Sequence, residues 1–288
     1  MLDTMQQRCR PIQLEDRPII DEIRAKTGHT LSAHAFTSLY LWQNALKLSV
    51  CLEGDAFFIR FLLRGENAWF YPCGSEEAQI RFLQMGLERQ DFSLHYIRQE
   101  DMDFIQKQFP DRFRFEEAWG DSEYICDRMA QIEMQGGAYR NLRAKVRKAR
   151  ERHNWIIEPL GPENMEEAKH VLFSWEALRE RTGDGDAALI GLTEFEALGF
   201  QGILARTEEG PQAVAFGKTI APDIFDFHVE KTLIPSTVNY VKWELYRRLP
   251  EQIKWINLEE DLNLPGLKNN KLQAVPVAIT PLWKGIPV

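Results

Sequence analysis

The sequence predicts an α/β protein, with some α+β character, that consists of two successive domains around mixed central sheets. Alternating and helix-like hydrophobic patterns follow one another along the chain, which indicates interleaved strands and helices. The order β-α-α-β-β-β-α-β-α-β occurs in each half, although the halves show no visible sequence identity. With 288 residues, 44% of them hydrophobic, the chain is long enough for two cores.

The first domain is predicted over residues 1–120. Glu53-Gly54-Asp55 and Arg64-Gly65-Glu66 are turn sequences between strands, and Ser75, followed by two glutamates, is a typical helix N-cap. The predicted elements are a strand at 10–14, helices at 16–26 and 33–44, strands at 46–52, 56–63 and 68–71, a helix at 75–88, a strand at 92–97, a helix at 100–108 and a strand at 113–117.

The second domain is predicted over residues 154–288. Its clearest strand, at 224–230, alternates between apolar and polar residues, so that Asp226, His228 and Glu230 share one face. The predicted elements are a strand at 155–159, helices at 162–181 and 186–198, strands at 201–207, 213–220 and 224–230, a helix at 237–249, a strand at 253–256, a short helix at 264–270 and a strand at 274–280.

A connecting segment, residues 121–153, carries a basic helix that begins at about Ala138. Residues 140–152 contain seven basic side chains and one acidic side chain, whereas the whole chain has a net charge of −8. The apolar residues Leu142, Val146 and Ala149 recur at helical spacing and would hold the helix on the protein. The remaining face predicts a phosphate-binding surface for RNA, a lipid headgroup or a phosphorylated cofactor, and the alternative is a solvated helix that pairs with acidic surface. The residues expected to bind phosphate are Arg140, Arg143, Arg147, Lys148 and Arg150.

Several classes of site are disfavoured by the sequence. The four cysteines lie far apart, which is typical of reduced thiols, and the six histidines show no metal-binding spacing, so no metal site is predicted. Nucleotide-binding loops and the serine hydrolase elbow are missing from the sequence. No apolar run is long enough for a transmembrane segment and the first ten residues are polar, so we expect a cytoplasmic protein.

Charged residues at two neighbouring strand ends form the candidate site, between His228 and Pro276. Glu230 and Lys231 close one strand, and the next strand delivers an acidic run that ends at Asp261. Because sites in α/β proteins usually lie at strand ends, we expect Glu230, Asp261 and Lys271 to converge in one pocket.

The segment from Asp121 to Pro276 resembles the soluble catalytic domain of phosphatidylglycerol lysyltransferases. The residues that carry the resemblance are Asp121-Ser-Glu-Tyr124-Ile before Gly136-Gly137 and the basic helix, Glu230-Lys231, Tyr240, Asn257-Leu-Glu259-Glu260-Asp261-Leu, Gly266-Leu-Lys268, Lys271 and Pro276. The resemblance implies two tandem GNAT-like domains, of the acyl-CoA N-acyltransferase type, and a relation to the aminoacyltransferases that use aminoacyl-tRNA as donor. The duplicated element order is also similar to the GNAT fold.

The chain departs from the family pattern at several positions. Leu258 and Lys268 stand where the family tends to have arginine, and Asn263 stands where it tends to have glycine. The family's asparagine on the helix after Tyr240 is replaced by Glu244. The two arginine losses remove guanidinium groups that bind phosphate or carboxylate through two hydrogen bonds.

The resemblance predicts an acyl or aminoacyl transferase with aminoacyl-tRNA as donor and a lipid, peptide or amine as acceptor, with peripheral contact to membrane lipid. Carboxylates would hold the donor's ammonium or orient the acceptor, and lysines would neutralise phosphate or the developing oxyanion. The predicted catalytic residues are Glu230, Asp261, Lys271 and Tyr240. The predicted substrate-binding residues are Lys231, Glu259, Glu260, Lys268 and Asn257.

Two alternatives remain open at this point. An acetyl-CoA-dependent N-acetyltransferase shares the fold, but it needs a glycine-rich turn before a helix to hold the pyrophosphate. The corresponding junctions, 71–75 and 231–237, lack that pattern, so the sequence argues against CoA and predicts no cofactor. A non-catalytic module of the same fold, which binds a small molecule or a partner chain, is the other alternative.

Overall fold

The computed structural model describes residues 2–63, 66–178 and 183–288. The chain divides into two compact units. Unit 1 comprises Met1–Glu123, Glu260–Leu264 and Ile279–Val288, and unit 2 comprises Tyr124–Glu259 and Pro265–Ala278. The predicted ranges differ from these units, because Glu260–Leu264 and the last ten residues belong to unit 1 and the basic helix belongs to unit 2.

The strands are β1 (Ser49–Glu53), β2 (Ala56–Leu63), β3 (Glu66–Phe70), β4 (Leu94–Ile97), β5 (Phe113–Glu117), β6 (Glu123–Asp127), β7 (Ile156–Pro159), β8 (Gln201–Thr207), β9 (Gly210–Ala221), β10 (Ile224–Thr232), β11 (Trp255–Asn257), β12 (Ala278–Thr280) and β13 (Trp283–Pro287). The helices are α1 (Leu2–Arg8), α2 (Arg17–Thr27), α3 (Phe36–Leu46), α4 (Glu76–Leu87), α5 (Gln99–Gln108), α6 (Arg128–Glu133), α7 (Arg140–Arg152), α8 (Met165–Ala177), α9 (Gly185–Thr193), α10 (Phe195–Leu198), α11 (Val238–Arg248) and α12 (Pro265–Gln273).

Unit 1 contains a mixed six-stranded sheet in the order β1-β2-β3-β4-β13-β5. Among the described residues, β3 and β4 form the one parallel pair of this sheet, and β13, from the end of the chain, is antiparallel to both β4 and β5. The predicted strand at 10–14 is wrong: it is reduced to a single bridge between Arg10 and Val50. Pro11 follows directly and has no N–H to continue a ladder.

Unit 2 contains a seven-stranded sheet in the order β12-β6-β11-β10-β9-β8-β7. The connecting segment supplies β6, which the sequence did not predict, together with α6 and α7. The predicted strand at 274–280 is shorter, at Ala278–Thr280, and the predicted helix at 186–198 is divided at Glu194 into α9 and α10. The predicted turn at Arg64 and Gly65 and the end of the helix predicted at 162–181 lie outside the described residues.

The parallel strands β10 and β11 position the site in unit 2. They pair only from Ile224 with Trp255 to Asp226 with Asn257. Beyond that point β10 continues beside β9, whereas the chain after β11 hydrogen-bonds to Tyr124. The two strands therefore separate and leave a gap, which we call the wedge.

In the described part of the chain, we find no helix that combines the length and the apolar character needed to cross a bilayer.

Candidate functional site

Three polar side chains meet in the wedge, and we call Asp226, His228 and Glu259 the wedge cluster. The Nδ1 atom of His228 lies 2.7 Å from Oε1 of Glu259, and its Nε2 atom lies 3.7 Å from Oδ2 of Asp226. The side chains of Asp226 and His228 are 0% and 1% exposed, and that of Glu259 is 17% exposed. The histidine ring is therefore enclosed, with a carboxylate near each nitrogen.

Local backbone features direct these side chains into the wedge. The pairing of β10 with β9 shifts register between Phe227 and Val229, so His228 lies at a β-bulge, a feature that re-aims side chains next to active sites. Glu259 has a positive φ of 61°, and its N–H donates to Oδ1 of Asn257 at 2.8 Å. This side-chain turn fixes the direction in which Glu259 leaves the sheet.

The arrangement suits proton transfer. When Nδ1 carries the proton and donates it to Glu259, Nε2 is the basic nitrogen of the ring. The distance from Nε2 to Oδ2 of Asp226 exceeds that of a direct hydrogen bond. Both carboxylates would stabilise the imidazolium that forms when His228 accepts a proton.

The wedge cluster could also hold a metal ion, because one potential ligand atom from each of its three residues lies within 4.8 Å of the other two. It is the one such group of histidine, cysteine or acidic side chains among the described residues. Carboxylates and imidazole are suitable ligands for several divalent ions. However, Nδ1 of His228 is engaged with Glu259, and a metal would have to replace that hydrogen bond. The predicted absence of a metal stays a prediction, and the hydrogen-bonded geometry favours acid–base chemistry.

Lys231, a predicted substrate-binding residue, is buried and paired. Its Nζ donates to Oδ2 of Asp184 at 2.6 Å and lies 3.9 Å from the ring centroid of Trp175. Neither partner was predicted from the sequence. The structure therefore gives Lys231 a well-defined position at the end of β10, held by a carboxylate and an aromatic face.

Glu230 and Tyr240, both predicted to be catalytic, differ in their surroundings. Glu230 is half-buried on β10. Burial lowers the pKa of the nearby Lys242, and the negative charge of Glu230 acts in the opposite direction. Tyr240 is 4% exposed and packs between Trp155 and Trp243, at centroid distances of 5.3 and 6.1 Å. Burial raises the pKa of Tyr240 above its usual range. The tyrosine thus forms part of an aromatic core.

The remaining predicted site residues are divided between the units. Asp261 and Glu260 belong to unit 1, where Oδ1 of Asp261 accepts a hydrogen bond from the N–H of Asn263 at 2.8 Å. Lys271 belongs to unit 2 and donates to the carbonyl oxygen of Leu258. The convergence of Glu230, Asp261 and Lys271 in one pocket therefore stays a prediction.

Two predicted binding residues lie on helix α12 and strand β11. Lys268 is exposed on α12, a helix in which no residue is buried. Asn257 is 1% exposed and orients Glu259 through the turn described above. Among the predicted residues, Glu259 is thus the one that the structure brings into the wedge cluster, and Asn257 supports it.

The basic helix α7 is amphipathic, as its sequence predicts. Leu142, Val146 and Ala149 are buried, and they pack with Tyr240 in one hydrophobic cluster. The cationic side chains face outward. All five residues that were predicted to bind phosphate are exposed, namely Arg140, Arg143, Arg147, Lys148 and Arg150. The helix therefore presents a cationic surface.

Comparison with known proteins identifies the family. The family described as phosphatidylglycerol lysyltransferase, C-terminal, matches residues 24–283. The chain belongs to this family. Its membership confirms the resemblance carried by the sequence motifs and supports an acyl or aminoacyl transferase.

Solved structures agree with the family assignment. A conserved protein of unknown function from Bacteroides thetaiotaomicron is 24% identical, with a TM-score of 0.88, over 97% of this chain and 99% of that chain. The C-terminal domain of a protein provisionally named lysylphosphatidylglycerol synthetase, from Agrobacterium fabrum, is 16% identical, with a TM-score of 0.69, over 94% and 91%. L-PGS from Bacillus licheniformis is 14% identical, with a TM-score of 0.67, over 94% and 91%.

Because these structures are at most 24% identical to this lysyltransferase-family protein, their likeness shows the fold alone. It confirms the predicted fold class of two tandem GNAT-like domains with mixed sheets. A search of curated proteins finds no match to the chain.

Proposed function

We propose that this protein is an acyl or aminoacyl transferase in which the wedge cluster carries out proton transfer, with His228 as general base. The observation that carries the proposal is the 2.7 Å contact between His228 and Glu259, at the point where two parallel strands separate. Family membership supports the reaction class, because the family is described by lysyl transfer. A histidine that is oriented by a carboxylate can act as a general acid or base.

The reaction would proceed through a tetrahedral intermediate. As the acceptor hydroxyl or amine attacks the ester carbonyl carbon of the donor, Nε2 of His228 takes its proton and a new C–O or C–N bond forms. The intermediate then expels the donor's ribose oxygen, the ester C–O bond breaks, and the imidazolium returns the proton to that oxygen. Glu259 and Asp226 stabilise the imidazolium between these two steps.

Other residues would bind the donor. Glu230 is proposed to hold its ammonium group, and Lys271, which contacts the residue before Glu259, is proposed to face the developing oxyanion. Leu258 and Lys268 replace arginines of the family pattern, so phosphate or carboxylate recognition at these positions relies on a single ammonium group at most.

The donor we propose is an aminoacyl-tRNA. The exposed cationic face of α7 supports it, since phosphate contacts supply most of the affinity of nucleic-acid-binding proteins. The acceptor is a hydroxyl or amine on a lipid, a peptide or a small molecule, and a lipid acceptor would entail peripheral contact with a membrane. No cofactor is part of the proposal.

Transfer assays test the proposal directly. Purified protein is incubated with labelled aminoacyl-tRNAs and, separately, with acetyl-CoA, together with phosphatidylglycerol vesicles, peptides or amines. We expect transfer from one aminoacyl-tRNA, and a loss of at least about 10²-fold in His228→Gln. His170→Gln, a change at an exposed histidine, is the matched control and should keep the wild-type rate.

Two outcomes would contradict the proposal. Transfer from acetyl-CoA alone would assign the protein to the N-acetyltransferases. Equal rates in wild-type protein and in His228→Gln would remove the histidine from the reaction.

A further inference from the structure

A groove of about 520 Å³ lies in unit 2 at the end of helix α7. Residues of the wedge cluster do not line it. Its walls include Arg150, His153, Asn154, Trp155 and Glu208. The volume lies in the range of small-ligand pockets, and both faces of the groove are contributed by elements that the sheet and α7 hold in place.

An aromatic platform forms one wall of the groove. Trp155 is half-buried, its Nε1 donates to the carbonyl oxygen of Ala149 at 2.9 Å, and its ring packs on Tyr240 at 5.3 Å. The ring of His153 meets it at 5.5 Å with an interplanar angle of 73°. The indole is therefore fixed in orientation, so a flat ligand could stack on it with little loss of side-chain entropy.

A polar pair lies at the rim. The side-chain amide of Asn154 donates to Oε1 of Glu208 at 2.7 Å, and both residues are exposed. An amide and a carboxylate side by side match the edge of a nucleobase. In particular, the carboxylate of Glu208 can accept a hydrogen bond from an exocyclic amino group.

A row of arginines leads to the groove. Arg140, Arg143, Arg147 and Arg150 are spaced by three, four and three residues, so they share one face of α7, and all four are exposed. The row extends over about 15 Å, at 1.5 Å per helical residue. The row is therefore long enough to contact several successive backbone phosphates, and it ends next to the aromatic platform.

We infer that this groove binds an unpaired nucleotide of an RNA, with its base stacked on Trp155 and the adjoining phosphates on the arginine row. The inference deepens the proposed function and rests on it, since the donor is taken to be an aminoacyl-tRNA, whose reactive end is single-stranded. Single-stranded nucleic acids are bound in this way, by cations along the backbone and aromatic rings against the bases. An anionic membrane fits less well, because the site is concave and carries the carboxylate of Glu208.

Fluorescence anisotropy with deacylated RNA hairpins tests the inference, and it requires no catalysis. One labelled hairpin is blunt, and the other has four unpaired 3′ nucleotides. The wild-type protein should bind the second about 5- to 150-fold more tightly, the range that one stacked base contributes. Trp155→Ala should abolish this difference, and Trp155→Phe should keep most of it.

Further variants separate stacking from charge. Arg147→Gln should weaken the binding of both hairpins to the same extent and lower the slope of affinity against salt by about one. Glu208→Gln should reduce a preference for adenine or cytosine over uracil at the unpaired positions. Trp119→Ala is the matched control, because Trp119 is 59% exposed and belongs to unit 1.

Equal affinity for the two hairpins, or an equal loss for both in Trp155→Ala, would overturn the inference. Binding to phosphatidylglycerol vesicles, without binding to either hairpin, would overturn it in favour of a membrane partner. RNA binding that depends on Trp155 in a protein without transfer activity would support the groove and refute the proposed reaction. Transfer from aminoacyl-tRNA that is unaffected by Trp155→Ala would support the proposed reaction and refute the groove as an RNA-binding site.

Discussion

His228 and Glu259 join β10 to the chain that follows β11 through a 2.7 Å contact between Nδ1 and Oε1. The two residues are 31 positions apart in sequence, and each is directed by an irregularity of its own backbone, a bulge for one and a positive φ for the other. In the proposed reaction, this contact would fix which ring nitrogen accepts the substrate's proton. It should therefore control catalysis more than stability.

Replacement of Glu259 by glutamine tests this role. The neutral amide cannot stabilise the imidazolium, and its NH₂ group can donate to Nδ1 and so reverse the tautomer. We expect the kcat of transfer to fall by about 10²- to 10⁴-fold with little change in KM. Glu163→Gln, at an exposed position, is the control. A KM effect alone would instead assign Glu259 to substrate binding.

The sequence predicted one half of this relationship and missed the other. Alternation along 224–230 placed Asp226 and His228 on one face, as the structure has them. Their proximity to Glu259 depends on the parallel pairing of β10 with β11, which is a tertiary contact without a local sequence signal. The histidine spacing that disfavoured a metal site likewise describes only ligands from one helix or strand, whereas the wedge cluster draws on two strands.

Local signals predicted other features well. The spacing of Leu142, Val146 and Ala149 predicted the buried face of α7, because helical periodicity is a property of the segment itself. By contrast, β13 lies between β4 and β5 of unit 1, far from its neighbours in sequence. A short terminal strand whose partners are distant could not be assigned to a sheet from its own residues.

A buried histidine pair should make the stability of unit 1 depend on pH. The rings of His29 and His34 lie 4.2 Å apart. Burial lowers the pKa of His29 well below its usual value and that of His34 to about 3. Below about pH 6.5 each of the two histidines binds a proton in the unfolded chain but stays neutral in the folded chain. The free energy of unfolding should therefore be highest above that pH and fall as the pH drops from about 6.5 towards 3.

Urea unfolding at pH 7, 6, 5 and 4 measures this dependence. Each histidine should contribute a decrease of up to about 1.4 kcal/mol per pH unit. His34→Gln, whose amide can still donate to the carbonyl oxygen of Tyr71, should reduce the slope by about one proton. Asp121, whose pKa burial raises to about 6, acts in the opposite direction in both proteins. An unchanged slope in His34→Gln would show that the pair does not govern the pH dependence.

Metal ions should inhibit the reaction rather than support it. The ligating atoms of Asp226, His228 and Glu259 lie close enough to bind a divalent ion, and such binding would replace the hydrogen bond at Nδ1. Transfer should therefore persist in EDTA, and micromolar Zn²⁺ should slow it in a way that EDTA reverses. Glu259→Gln should bind Zn²⁺ more weakly in calorimetry. Loss of activity in EDTA, followed by recovery with Mn²⁺ or Zn²⁺, would instead make the cluster a catalytic metal centre.

The close packing of β9 against β10 supports the wedge cluster from behind. A methyl group on Gly217 would lie 2.1 Å from the carbonyl oxygen of Asp226 and 2.7 Å from the ring of Phe225. Since β10 would have to shift, Gly217→Ala should lower the free energy of unfolding by about 1–3 kcal/mol. It should also slow transfer, because Asp226 belongs to the displaced strand.

The matched control for this change is Gly266→Ala, because no atom lies within 4 Å of a methyl group at that position. Its free energy of unfolding should stay within about 0.5 kcal/mol of the wild type. Urea unfolding and the transfer assay are measured on both variants. If Gly217→Ala were as stable and as active as Gly266→Ala, the position of β10 would tolerate the added methyl group, and the geometry of the wedge cluster would not depend on the contact with β9.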